Sequence, residues 1–392
     1  MTKTKRNIIL IILSMSIGNA YLAPMLRFSF YDQMLAALQL NDIQLGYLGS
    51  AYGVACVICY PLSGILAEKM NTKLLLILSS AGMCLLTVWY ATLPGYPALI
   101  IIHGLYGMFS VGTLWSPYVK AIRNLGTEKE QGRLFGISEG IRGIGQTVIA
   151  FICLAVVAEI ASVQASFRVV LMINVAVFAL LMVAIIVLMP DIDKEPISRP
   201  EARTVQADTE KYSLRWALTH SCTWICIFVV WCGYTIWTTV NGYMGTYCTR
   251  VLQMPAELSS AVSIIRTYII VFVAGVTGGI LLDKFKRKGS GMLLFFLLAT
   301  VSTAGIWLTS NMLYLCLVIT IVLSYLVNAI KSTYFSILGE AGVPLAATGI
   351  TSGVISFIAF SPDIYVTPLI SRFIRYGEAQ GNVELGFNLM LA

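Results

Sequence analysis

Gly64-Ile-Leu-Ala-Glu68-Lys69-Met-Asn71-Thr-Lys73 lies between two long apolar runs and sets an acid four residues after a glycine, then a base five residues further. Gly279-Ile-Leu-Leu-Asp283-Lys284-Phe-Lys286-Arg287-Lys288 repeats that spacing 215 positions later. A second marker, Gly136-Ile-Ser-Glu139-Gly140, returns as Gly349-Ile-Thr-Ser-Gly353 at an offset of 213. Two unrelated markers at nearly one spacing point to a tandem duplication with a small change in length.

Outward from these loops the chain is apolar. It is 58% hydrophobic and 11% charged, with a mean hydropathy of +0.82, whereas soluble chains carry about 25% charged residues. An integral membrane protein follows. Continuous apolar runs exclude the alternating pattern of a barrel and require helices, whose backbone groups are satisfied internally. Spans are expected at 7–30, 43–66, 74–93, 97–119, 134–158, 167–189, 219–247, 258–282, 290–309, 311–335 and 346–369, with an unfinished one from about 384. The fold class is all-α: a polytopic membrane protein of two pseudo-symmetric six-helix bundles, 1–190 and 217–392. Shifting the sixth span by the repeat offset carries the twelfth past Ala392, so either the last helix is short or, as is expected here, the chain is a fragment.

A polar linker is expected at 191–216, since Asp191 to Arg215 holds five bases and six acids. The basic start, Met1 to Arg6, resembles a secretory signal, but the apolar run behind it is too long for a signal core and reads as a retained first span. With the N-terminus in the cytoplasm, 19 Lys and Arg fall on the cytoplasmic side and five on the other. That asymmetry fixes the orientation. The net charge of +7 therefore belongs to short loops, and no nucleic-acid partner is expected. The nine cysteines lie mostly within apolar runs as small packing groups. Cys56-Val-Ile-Cys59 lacks the context of a redox motif, and neither a metal nor a cofactor is expected.

Gly64, Glu68 and Lys73, and again Gly279, Asp283, Arg287 and Lys288, resemble the loop motif of the major facilitator superfamily, placed after the second and eighth spans. Glu68 replaces the family's aspartate and Asn71 its second glycine, which makes the first copy the weaker acid–base latch. Trp115-Ser-Pro117, Glu130 to Gly136, and Ala347 to Asp363 resemble bacterial members related to the sugar-phosphate permease branch. The resemblance implies a secondary transporter of the bacterial inner membrane, working as a monomer, whose two bundles rock about a mid-membrane site. Gly64 and Gly279 would let helices approach closely at a cytoplasmic gate. Basic loops also set topology by themselves.

Ionisable groups inside spans are costly and default to function. Here they are Arg27, Glu139, Arg142, Arg266, Lys331 and Asp363. Arg142 follows Arg133 by nine residues, about 13 Å of helix, and Arg266 precedes Asp283 by 17, about 25 Å. Glu139 and Arg142, three apart, can pair on one helix. Asp363 either binds a cation or proton or partners Arg266 or another base. Four positive groups against two negative favour an anionic solute gripped by guanidinium, although arginines also lock helices together. Trp231, Tyr234, Trp237 or Thr238, and Asn241 share one helical face, as do Tyr21, Pro24 and Arg27, and Asn328, Lys331 and Tyr334. Trp115 joins these candidates. Aromatics with amides suit a sugar-like solute, while aromatic belts or helix packing would use the same residue types. His103 reads as a packing histidine.

A carrier for a small anionic organic solute is thus expected, coupled to a proton or a counter-anion. Its alternatives are a proton-coupled symporter of a neutral sugar-like solute and a non-transporting sensor of the same fold. No phosphate-binding loop for ATP and no nucleophile–base set is visible, so an enzyme ranks last.

Overall fold

The computed structural model describes residues 3–126, 130–193, 214–344 and 347–392. Among these, ten helices are long and apolar enough to cross a membrane, eleven when a bent N-terminal pair counts as one span. No strand occurs among the described residues. The chain divides into two units, Met1–Pro200 and Glu201–Ala392. The linker expected at 191–216 lies mostly outside the described residues.

The first unit begins with α1 (Lys3–Leu22) and α2 (Arg27–Leu38), bent by 44°. A single span over 7–30 was expected. Pro24 breaks it, because proline lacks the N–H that would bond back to residue 20 and its ring crowds that carbonyl. Next come α3 (Asp42–Lys69), α4 (Thr72–Ala91) and α5 (Tyr96–Gly107). A π-turn at Met108–Gly112 leads from α5 into α6 (Trp115–Arg123), and α7 (Gln131–Glu159) and α8 (Val163–Leu188) complete the unit. Asn41 and Gln44 form a reciprocal capping box at the start of α3, and Asn71 and Ser162 cap α4 and α8. Such side-chain caps satisfy N–H groups that a helix start leaves open.

The second unit contains α9 (Leu214–Thr219), α10 (Ser221–Arg250) and α11 (Ala256–Ile264). A π-turn at Ile265–Ile269 continues α11 into α12 (Ile270–Asp283), followed by α13 (Lys288–Leu308) and α14 (Leu313–Thr333). The rest is a 3₁₀ turn at Tyr334–Ile337, then α15 (Thr348–Ala359), α16 (Pro362–Ala379) and α17 (Val383–Leu391). The eleventh span was expected to stop near 369, but α16 runs to Ala379. Arg372, Arg375 and Glu378 lower the apolarity of that stretch without weakening its helix propensity. Gly381, at φ +69°, turns the chain away just after the helix.

Duplication is visible in the packing inside each unit. In the first, α1 packs on α7, α3 on α5, and α4 on α8. In the second, α10 packs on α15 and α16, α12 on α14, and α13 on α17. Read as spans, first–fifth and second–fourth recur as seventh–eleventh and eighth–tenth, while the extensive third–sixth contact has only a slight ninth–twelfth counterpart. Small residues make the second–fourth seam close in both copies. A Cβ on Gly107 would sit 2.7 Å from the Cβ of Ala55 and 2.9 Å from the Tyr52 carbonyl oxygen, and one on Gly278 would sit 2.8 Å from the Cβ of Ala329. Apolar side chains gain nothing by leaving lipid for another helix, so close backbone approach supplies the attraction.

Candidate functional site

Within the first unit the expected pair forms: Arg142 Nη2 lies 2.5 Å from Glu139 Oε2 on α7. Arg142 is 23% exposed and Glu139 50%, so the pair is not locked into a seam. Gly18 on α1 makes room for the arginine stem, since a Cβ there would meet Arg142 Cγ at 3.0 Å. Tyrosines surround the pair. Tyr21 and Tyr118 lie within electrostatic range of both charges, and Tyr21 shares a hydrogen bond with Tyr60. Trp115 meets Tyr60 edge-on at 6.2 Å and lies tilted against Tyr118 at 6.3 Å. Tyr118 Oη and Ser14 Oγ contact Ser138 Oγ at 2.8 and 2.7 Å. Tyr60 and Tyr118 were not anticipated. Both are uncharged, and the criterion of an intramembrane charge passes over them.

In the second unit a carboxylate sits among aromatic rings. Asp363, at the start of α16, is 8% exposed and accepts hydrogen bonds from Tyr234 Oη at 2.6 Å and Thr238 Oγ1 at 3.2 Å. Tyr234 stacks on Trp237 at 5.5 Å and packs on Phe360 at 4.7 Å. Trp237 Nε1 donates to Asn328 Oδ1 at 2.9 Å, and the Lys331 ammonium lies 3.2 Å from the centroid of the Trp237 ring. Trp231 Nε1 donates to Tyr365 Oη at 2.6 Å. Asn241 bonds the Trp237 carbonyl through Nδ2 and is buried. Seven of the expected candidates on α10, α14 and α16 are thereby linked or neighbouring.

Arg27 and Arg266 behave differently. Arg27 is 4% exposed, lies over the Phe28 ring, and presses its guanidinium on Gly49, where a Cβ would sit 2.9 Å from Nη1. Arg266, 3% exposed, lies on the π-turn after α11 and donates to Ser263 Oγ at 2.9 Å. The pairing of Arg266 with Asp363 is not found, because Ser263 and the Gly245 side of α10 take the guanidinium instead. Nε of Arg27 and Nε and Nη1 of Arg266 have no acceptor among the described residues. His103 packs edge-on against Tyr90 and Tyr106 and bonds the Leu99 carbonyl through Nδ1.

At the loops, Lys288 Nζ pairs with Asp283 at 3.2 Å, and exposed Arg287 precedes α13 without a side-chain capping bond. Lys73 bonds the Ile186 carbonyl at 2.8 Å at the end of α8, and Glu68 is exposed. A Cβ at Gly64 or Gly279 would meet nothing within 4 Å among the described residues. A cluster that the loop motif did not reveal lies beside the first loop. Asp193 accepts from the Thr72 amide at 2.6 Å and Thr72 Oγ1 at 3.0 Å, and pairs with Lys120 at 2.7 Å.

Two units with one repeated helix pairing, each holding an intramembrane cluster of charged and aromatic side chains, define a multi-pass membrane protein of the transporter class. The Major Facilitator Superfamily matches residues 8–361, and the chain belongs to it. It is a membrane transporter rather than an enzyme. Inner membrane protein YihN of Escherichia coli (strain K12) is 26% identical over 381 residues, covering 95% of this chain and 89% of its own. Inner membrane protein YqcE of the same strain is 26% identical over 391 residues, covering 97% and 91%. The solved D-xylose-proton symporter superposes with a TM-score of 0.74 at 14% identity, covering 100% of this chain and 95% of the symporter. The nucleoside transporter NupG gives 0.73 at 15% identity, covering 98% and 96%.

Proposed function

We propose that this chain is a secondary active transporter of the bacterial inner membrane. It moves a small anionic organic solute, sugar-phosphate- or organic-acid-like, by alternating access, with its N-terminus in the cytoplasm. One observation carries the anionic part. The Arg142 guanidinium is partly exposed in mid-helix, and its ion pair is with a half-exposed carboxylate on the same helix. An incoming phosphate or carboxylate can replace Glu139 at two guanidinium nitrogens, a geometry that lysine does not offer. Tyr21, Tyr60, Tyr118 and Trp115 supply hydroxyls and ring faces for the remainder of the solute.

A second reading, a neutral sugar-like solute moved with a proton, draws on Asp363. Its hydroxyl donors and surrounding rings suit a carboxylate that gains and loses a proton beside a polyol. Radiolabelled uptake into proteoliposomes separates the two. Under the anionic reading, internal anion or an inward pH gradient drives uptake of an organic anion, and Arg142→Ala lowers it at least about tenfold, the loss of one charge-assisted contact. Normal anion uptake by Arg142→Ala at wild-type folded yield would falsify that reading. Binding without counterflow would instead make the protein a sensor.

A further inference from the structure

We infer that Arg266 anchors a buried site for a small monovalent inorganic anion, of chloride or nitrate size, within the second unit. The inference is independent of the anionic-solute reading, which rests on Arg142.

Arg266 is 3% exposed, and its guanidinium spends Nη2 on Ser263 Oγ at 2.9 Å. Its Nε and Nη1 are buried with no acceptor among the described residues. Ser263 accepts the bond from Nη2, and no described residue accepts its hydroxyl proton. Unspent donors from both side chains therefore meet at one place. Gly245 on α10 keeps that place clear of a side chain: a Cβ there would lie 2.7 Å from Ser263 Oγ and 3.9 Å from Arg266 Nη2. The turn that carries the arginine is π-helical, a geometry frequent at functional sites.

Arg266 follows the start of α11 at Ala256 by ten residues and precedes the end of α12 at Asp283 by 17, about 15 and 25 Å of helix. Neither bulk water nor a lipid headgroup reaches it there. A guanidinium buried alone is costly, and in proteins it does not shed its proton. The titratable side chain within electrostatic range is the buried thiol of Cys248, not a carboxylate. A water molecule would satisfy the N–H groups and leave the charge standing. An anion answers both needs. One positive charge calls for one negative charge, since a divalent anion would only reverse the sign of what is buried. Such close burial favours a halide or nitrate over an organic solute.

Thermal unfolding of the whole purified chain in uncharged detergent tests this, with sodium gluconate replaced stepwise by chloride or nitrate at constant ionic strength. A parallel series uses a hexose phosphate. The wild type should gain about 2 °C or more, along a saturating curve, with either small anion. Arg266→Met should lose that gain and melt in gluconate at or above the wild-type temperature, because an apolar replacement removes the cost of the buried charge. Ser263→Ala should need about tenfold more chloride for half the gain, the loss of one charge-assisted contact. Arg142→Ala should keep the gain. No gain in the wild type, a gain that survives Arg266→Met, or one lost in Arg142→Ala overturns the inference. Should Arg266→Met not fold, an unchanged midpoint in Ser263→Ala overturns it instead. A gain through Arg266 from hexose phosphate alone would place that arginine with the organic solute and overturn it too, while the anionic-solute reading would stand.

Discussion

Gly107 and Gly64 illustrate how one residue type takes opposite roles in neighbouring helices. At Gly107 an added methyl would meet α3 itself, with Tyr52 O at 2.9 Å and Cys56 N at 3.1 Å. Backbone cannot step aside as a flexible side chain can, so Gly107→Ala should destabilise by about 1–3 kcal/mol, the usual cost of overpacking. At Gly64 an added Cβ would meet nothing within 4 Å among the described residues, and alanine has the higher helix propensity. Gly64→Ala should therefore unfold at the same temperature as wild type or above, by at most about 1 kcal/mol of stabilisation. Thermal unfolding of both variants in detergent checks the contrast. Loss of transport in a stable Gly64→Ala would assign that glycine to a conformation other than this one.

Helix ends carry a connected set of polar ties in the first unit. Asp193 sits at the N-terminus of α4, where the open N–H groups and the helix dipole favour an anion. Lys120, which holds Asp193, also bonds the Ala67 carbonyl, and Asn71 Nδ2 reaches Asp191 at 2.7 Å. The ends of α3, α4 and α6 and the segment after α8 are thereby joined. Partial burial works against the charge on Asp193, but Lys120 and Thr72 outweigh it and hold the carboxyl below its ordinary value. A carboxyl lowered by folding stabilises above its unfolded pKa, near about 4, and ceases to do so as pH falls through the folded value. Asp193→Asn should therefore be less stable than wild type at neutral pH, and the difference should shrink below pH about 4. A constant difference across that range in pH-dependent unfolding would remove Asp193 from this role.

For the whole molecule, the recurrence of one pairing scheme in both units has a topological consequence. Were each copy to hold six spans, an even number, both glycine–acid–base loops would lie on the same side of the membrane. In the proposed orientation, read from the Lys and Arg count, that side is the cytoplasm. A cysteine placed at the exposed Lys286 should react with a membrane-impermeant maleimide only from the cytoplasmic side. One placed at the exposed Glu257, at the start of α11, should react only from outside. Labelling in whole cells against inverted vesicles decides it, and the reverse pattern would refute the orientation.

Apolar runs long enough to span and markers 215 and 213 residues apart already contained the helical membrane fold and its duplication, because lipid enforces one backbone solution and leaves a linear trace. Intramembrane charge likewise marked Arg142, Lys331 and Asp363 in the chain itself, since its cost makes each one conspicuous. The bend at Pro24 could be suspected there, while the extension of α16 could not, because polar helix and polar loop have similar composition. Partner choice was decided only in three dimensions. Arg266 and Arg142 are both intramembrane arginines, yet one is sealed beside Ser263 and the other stays open beside Glu139. Uncharged Tyr60 and Tyr118, and the seat of Lys331 on Trp237, arise from side chains brought together across helices, and such contacts have no period or charge signature along the sequence.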